Sequence, residues 1–272
     1  MIKLSYNEFI FLRTYIYERY GIFLRDEKKT LLDGRVQRVL DALNMKTFEE
    51  FKHYLLKDHT GAAADLLIDK VTTNYTYFMR ESSHFEFLMK EALPYWKIRV
   101  TDGDLRVWCA ACSSGQEAYT IAMFMEEFFS LDKRRWDKKL LATDISKEIL
   151  TKARQGQYNE EEISKLPAHW KKRYFNKKVG GFYEVKPIIK DEILFRQFNL
   201  MTKPFPFNKP FHIVFCRNVM IYFDDVAKRK LIENIYESLE IGGYLIVGKS
   251  ESLGTQLGGL HYICPSIYQK RY

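Results

Sequence analysis

Arg217 and Asn218 sit inside Ile213-Val-Phe-Cys-Arg-Asn-Val-Met-Ile-Tyr-Phe223, a run that is otherwise almost wholly apolar. A guanidinium or amide left unpaired in a core costs several kcal/mol, so a charged protein partner or a ligand must meet this pair. A buried strand that turns polar only at its carboxyl end is the usual edge of a ligand crevice in an open α/β sheet. Two other places fit the same pattern. Gly115 follows a predicted apolar strand, Leu105–Cys109, and opens a predicted apolar-faced helix, Gln116–Phe129, with Glu117 in its first turn. Glycine lets backbone approach a ligand closely, and the helix N-terminus favours a negative group. Asp144 ends the next predicted strand, Lys139–Asp144, where ribose hydroxyls are commonly bound, although an aspartate there equally caps the following helix. The loop lacks both G-x-G-x-x-G and G-K-[ST], so it suits a nucleoside ligand without phosphate whose anionic group is a carboxylate. S-adenosylmethionine is such a ligand.

These residues need a scaffold, and hydrophobic periodicity supplies one. Helical spacing marks Tyr6–Tyr20, with Phe9, Leu12, Ile16 and Tyr20 on one face and Gly21 as its stop. It also marks Asp26–Leu43, with Leu32, Val36, Val39 and Leu43 as the apolar stripe, Lys28 and Arg35 flanking it and Arg38 further round. Thr47–Leu56 and Asp65–Val71 complete a small helical bundle. Beyond Asp104 the pattern alternates, with further strands predicted at Ile193–Phe198, His212–Cys216 and Tyr244–Val247 and helices at Ile149–Gln155 and Asp225–Leu239. Gly242-Gly243 reads as the turn into the Tyr244 strand. Such alternation implies a mostly parallel sheet with helices on both faces. Around Gly180-Gly181, alternating apolar positions predict an inserted antiparallel hairpin, and Pro187 makes one of its strands an edge strand.

The chain has 272 residues, enough for one large domain or two smaller ones, and its 46% hydrophobic content supports a globular core. No apolar run approaches the roughly 20 residues of a membrane span, and the N-terminus lacks the apolar block of a signal peptide. Four cysteines do not make a disulfide framework, which points to a cytoplasmic protein without membrane insertion. Cys109 and Cys112 have C-x-x-C spacing, but Cys216 and Cys264 form no second pair, so no metal is expected. The net charge of +8, from 43 basic and 35 acidic residues, calls for an acidic partner: nucleic acid, anionic lipid or protein.

Four blocks, in order, resemble the CheR family of chemotaxis receptor methyltransferases: Thr72-Thr-Asn-Tyr-Thr-Tyr-Phe-Met-Arg-Glu81, Trp108-Cys-Ala-Ala-Cys-Ser-Ser-Gly-Gln-Glu-Ala-Tyr119, Ala142-Thr-Asp-Ile145 and Cys216-Arg-Asn-Val-Met-Ile-Tyr-Phe223. The resemblance covers nearly the whole chain. It implies a Rossmann-like methyltransferase sheet over 73–272, an N-terminal all-helical receptor-docking domain over 1–72, and an inserted antiparallel β-subdomain at about 170–190. It implies S-adenosylmethionine-dependent methyl esterification of receptor glutamates, leaving S-adenosylhomocysteine. By that resemblance Asn74, Thr76 and Arg80 contact the cofactor from the interdomain segment, and Glu117 and Asp144 bind it from the first two strand ends. Asn199 and Leu200 flank the adenine, Arg217 and Asn218 complete the site, and Tyr222 and Arg80 lie near the methyl. Lys28, Lys29, Arg35 and Arg38 become contacts for acidic receptor helices, and the β-subdomain a site for a receptor C-terminal peptide by strand addition. One position departs: where the family usually has glycine, this chain has Ala111.

A glutamate carboxylate, with an ordinary pKa near 4.3, is already ionised at neutral pH, so Arg80 and Tyr222 without a catalytic His or Cys suffice for in-line transfer. Two rivals remain. A nucleic-acid methyltransferase would carry a proline-containing [DNS]-P-P-[FY] loop where Arg217-Asn218-Val219-Met220 stands, so nucleic acid is not the expected partner. A non-catalytic adaptor that senses the cofactor is favoured only by Ala111. A monomer is expected.

Overall fold

Capped helices with a single apolar face build the N-terminal segment. The computed structural model describes residues 3–132, 136–254, 256–257 and 259–271, so the outer ends of the two expected domains, at 1 and 272, lie outside the described residues. Ser5 and Glu8 cap each other reciprocally at the head of α1 (Tyr6–Tyr20), and Gly21 closes it at φ 67°. Phe9, Leu12 and Ile16 are buried, while Tyr20 is only half-buried. The expected helix over Asp26–Leu43 is divided into a 3-10 turn, Asp26–Lys28, and α2 (Lys29–Leu43). Its buried stripe is Leu32, Val36, Val39 and Leu40, and Leu43 moves to the half-buried margin. Next come α3 (Phe48–Lys57), capped by Thr47, and α4 (Ala62–Val71). The four helices share one core around Leu12, Val36, Phe51 and Leu67.

A helical run without a counterpart in the sequence reading follows: α5 (Ser83–Phe87), a π turn at Leu88–Ala92, and α6 (Leu93–Arg99). Then come β1 (Val107–Ala110), α7 (Gln116–Phe129), β2 (Leu140–Asp144) and α8 (Lys147–Gln155). An inserted unit comprises β3 (Gln157–Asn159), α9 (Ala168–Tyr174), β4 (Phe175–Lys177), β5 (Phe182–Val185) and α10 (Pro187–Lys190). The main sheet resumes with β6 (Ile193–Gln197), β7 (Phe211–Cys216), α11 (Asp225–Ser238) and β8 (Leu239–Val247). It finishes with β9 (Gln256–Leu257), β10 (Leu260–Cys264) and β11 (Ile267–Lys270).

The eight-stranded sheet has the order β6-β2-β1-β7-β8-β11-β10-β9. From β6 to β8 all pairings are parallel, and the last three strands join antiparallel. This is the expected Rossmann-like sheet with an antiparallel extension. Strand alternation sends Cys109, Phe215 and Ile246 to one face and Trp108, Val214 and Leu245 to the other, and helices cover both. The chain leaves β1 for β2 on one side, while β7 and β8 lie on the other. A crevice therefore opens at the carboxyl ends of β1 and β7.

Two local expectations are corrected. Gly242-Gly243 is no turn: it lies within β8, which starts at Leu239, and the pairing with β7 shifts register between Phe211 and Ile213. Glycine there permits a bulge in a continuous strand. The inserted hairpin exists, but Pro187 does not make its strand an edge. It opens α10, while β5 is the central strand of a three-stranded sheet, β3-β5-β4. Proline at the first helical position sacrifices no hydrogen bond.

Candidate active site

Arg217 answers the question its position raised: its partner is protein. The side chain is fully enclosed, Nη1 donates to Glu117 at 2.6 Å, and Nη2 donates to the Arg80 carbonyl at 2.6 Å and to Glu81 at 3.2 Å. Cys109 Sγ donates to the other Glu117 oxygen at 3.3 Å. Glu81 also accepts from Asn218 Nδ2 at 3.2 Å and the Lys249 amide at 3.1 Å. Burial works against the Glu81 charge, but Arg217 and these donors outweigh it and hold the carboxyl below its ordinary range. Arg217 thus faces two carboxylates, of which Glu117 lines the cavity.

The loop after β1 is fixed from β2. Asp144 accepts from the Ser113 amide at 2.8 Å and the Ser146 amide at 3.0 Å, and Ser113 Oγ donates to the Asn74 carbonyl at 3.0 Å. Burial pushes the Asp144 carboxyl up despite these bonds. Ser146, not Asp144, caps α8 by accepting from the Ile149 amide. Each Asp144 oxygen keeps lone-pair capacity for a further donor. Gly115 serves packing: at φ 97°, its missing Cβ would lie 3.0 Å from the Tyr158 hydroxyl and 3.2 Å from Ala153 Cα. Ala111 holds φ 129° and Ser113 φ 49°, backbone conformations that favour glycine.

A cavity of about 420 Å³ lies between this strand edge and the helical segment. Asn74, Thr76, Arg80, Glu117, Asp144, Asn199, Leu200, Arg217, Asn218 and Tyr222 line it, together with Lys28 and Arg35. Gly115, Lys29 and Arg38 do not. Lys29 pairs with Asp33 at 3.5 Å, and Arg38 borders a neighbouring charged depression with Asp41, Asp69 and Lys70. Arg80 Nη1 donates to the Tyr75 carbonyl at 2.9 Å, and its guanidinium lies 5.8 Å from both the Tyr75 and Tyr77 ring centres. Arg35 Nη2 donates to Thr73 Oγ1 at 2.9 Å; burial lowers its pKa, and nearby Tyr222 opposes that shift. Asn199 Nδ2 donates to the Arg19 carbonyl at 2.7 Å. Tyr222 closes a 3-10 turn, Met220–Tyr222, and its carbonyl accepts from the Phe23 amide at 2.8 Å.

Glu81, Gly248 and Glu251 belong to this network and were not expected. Glu251 accepts from the Asn218 amide at 2.5 Å, the Gly248 amide at 2.8 Å and the Ile221 amide at 3.2 Å. The signal was present: Gly248 and Glu251 end an apolar strand just as Gly115 and Asp144 mark the ends of theirs. The cavity combines a strand-end carboxylate, the amide and hydroxyl of Asn74 and Thr76, and apolar Ile145, Phe198 and Leu200. Its size falls within the several hundred Å³ typical of small-molecule sites. These groups fit a nucleoside ligand with a cationic end.

Cys109 and Cys112 are buried free thiols whose pKa values burial pushes up, and no described group of His, Cys, Asp or Glu could hold a metal ion. No described helix is long and apolar enough to cross a membrane.

Residues 7–72 match the family model described as CheR methyltransferase, all-alpha domain, and residues 74–264 match the CheR methyltransferase, SAM binding domain. The chain is 38% identical over 272 residues to the chemotaxis protein methyltransferase of Borreliella burgdorferi, covering 99% of this chain and 96% of that protein. It is 35% identical over 255 residues to chemotaxis protein methyltransferase Cher2 of Pseudomonas putida, covering 92% and 91%. The chemotaxis protein methyltransferase of Escherichia coli is 35% identical over 240 residues, covering 87% and 81%.

Proposed function

The chain belongs to the CheR family of S-adenosylmethionine-dependent chemotaxis methyltransferases, and on that premise we propose that it esterifies glutamate side chains of chemoreceptors. The observation that carries this reading is one cavity shared by a nucleoside-type strand edge and a basic rim, with Arg80 and Tyr222 on its wall. When bound, S-adenosylmethionine supplies a methyl group activated by a positively charged sulfur. Asp144 accepts the ribose hydroxyls, Asn199 and Leu200 flank the base, and Asn74 and Thr76 hold the remainder from the segment between the two modules. Glu117, held by Arg217, stabilises the cationic end; Arg217 and Asn218 shape that wall.

The acceptor carboxylate arrives ionised, so the site needs alignment rather than a general base. Arg80 steers it with a guanidinium that, among the described residues, forms no ion pair, and Tyr222 orients it by its hydroxyl. Lys28 and Arg35 at the rim, with Lys29 and Arg38 beside them, meet acidic receptor helices, so 1–72 docks and 73–272 catalyses. The β-subdomain offers the outer edge of β4 to a receptor C-terminal peptide. The protein acts as a cytoplasmic monomer.

Ala111 at φ 129° is the observation that favours a binding-only adaptor instead. Incubation with methyl-labelled S-adenosylmethionine and membranes bearing a chemoreceptor of the source organism distinguishes the two. Label that enters receptor protein and leaves as methanol in mild alkali is the expected result. Micromolar cofactor binding with no label in any receptor fraction would sustain the adaptor.

A further inference from the structure

Glu251 bonds backbone amides, and through them it reaches Asn218 and the residue before Tyr222. It is buried at 7% exposure, and its two oxygens divide the loop after β7 between them. One accepts from the Asn218 and Gly248 amides at 2.5 and 2.8 Å; the other accepts from the Ile221 amide, one residue before Tyr222, at 3.2 Å. Asn218 holds φ 58°, a left-handed conformation that asparagine tolerates better than most residues and that the Glu251 carboxylate holds through the Asn218 amide. Gly248 makes room for the clamp, since a Cβ there would lie 2.5 Å from the Glu251 oxygen and 2.6 Å from Asn218 Nδ2. On the far flank the Phe23 amide fixes the Tyr222 carbonyl.

We propose that Glu251 is a positioning residue for methyl transfer, acting through the Asn218–Tyr222 loop to set the Tyr222 hydroxyl; this rests on the proposed function above. A carboxylate is required because both oxygens face N–H donors. A glutamine could satisfy one end of the loop with its carbonyl, but would turn its own N–H groups on the other.

Full-length protein is assayed with labelled S-adenosylmethionine and receptor membranes, and S-adenosylhomocysteine affinity is measured by calorimetry. Glu251→Gln should lower kcat by about tenfold, as expected when a buried donor loses its acceptor, and should shift cofactor-product affinity by less than about threefold. The decisive reading is a double-mutant cycle. Tyr222→Phe should cost at least about threefold less in the Glu251→Gln background than in the wild type, because coupled residues do not add. Gly248→Ala crowds the same oxygen and should reproduce the pattern, and it carries the test if Glu251→Gln melts abnormally. Equal cost of Tyr222→Phe in both backgrounds overturns the proposal, as does an unchanged kcat. Failure of both variants to fold would make Glu251 a residue of stability alone and overturn it too. Failure of the underlying reading looks different: the wild type itself would bind S-adenosylhomocysteine without labelling receptor, and the proposal would fall with it.

Discussion

On the strand-edge side of the cavity, Arg217 is enclosed and hydrogen-bonded to Glu117, Glu81 and a carbonyl. On the helical side, Arg25, Lys28 and Arg35 stand at the rim and form no ion pair among the described residues. The same kind of charge therefore has two uses. Enclosed, it is neutralised internally and holds backbone in place; removing it strands its partners out of water. Exposed, as at Arg25 and Lys28, it contributes little to stability and acts on what approaches, within a Debye length of about 8–10 Å at physiological salt.

Arg217→Met should expose that contrast most strongly. It leaves buried Glu117 and half-buried Glu81 without their cation, and a loss of about 3–5 kcal/mol is expected in denaturant unfolding. A loss near zero would mean that the wall does not depend on the pair. Next in size, Arg80→Ala should cut turnover about a hundredfold, in the range for losing one charge-stabilising donor, with little change in melting temperature. Near-normal turnover would remove Arg80 from the reaction.

The rim should respond in the opposite way. Arg35→Glu with Arg38→Glu should raise receptor KM by about tenfold, cost far less stability than Arg217→Met, and lose effect as salt is added. An unchanged KM would take α2 out of the docking surface. Ala111→Gly tests the enclosed side more gently: relief of the φ 129° strain, less the extra chain entropy of glycine, should add about 1 kcal/mol of stability.

The enclosed side can also be tested by pH. Burial, with Arg217 close by, lowers the His84 pKa from 6.5 to about 4, and both of its ring nitrogens lack a hydrogen-bond partner. Burial, with Arg106 close by, lowers His212 from 6.5 to about 4 as well. Between those values the unfolded chain binds protons that the folded chain refuses, so stability should fall as pH drops from about 6.5 towards 4. His84→Met should flatten that slope; an unaltered slope would assign it to other groups.

Much of this was legible in the sequence because long periodic segments announce themselves. Gln116–Phe129 begins and ends where its apolar face and Gly115 indicate. The run from Ser83 to Arg99 was not read, since a π turn divides it and Pro94 stands near the start of its last helix. Gln157–Asn159 is too short for alternation to show, so the third strand of the small sheet appears only when β5 pairs with it. Within the site, the apolar run around Arg217 revealed that a partner existed but not which one. Glu81 and Glu117 come from segments far away in sequence, and no local pattern links them. Gly115 was legible as a special position, but its close neighbours, Tyr158 and Ala153, come from segments that no local pattern links to it.

The bridge between Ile22 and Phe223, with the Phe23 amide on the Tyr222 carbonyl, stitches the first helical segment to the loop of the proposed reaction centre. Gly21 is fitted to that junction too, because a Cβ there would lie 2.6 Å from Met201 Sδ. A seam of this kind governs how the protein can be cut and recombined. A chimaera that swaps the first seventy or so residues to test whether they set receptor preference would also import a foreign strap against Tyr222. The exchange that keeps turnover intact should graft α2 alone and leave Gly21–Phe23 with the half it already serves.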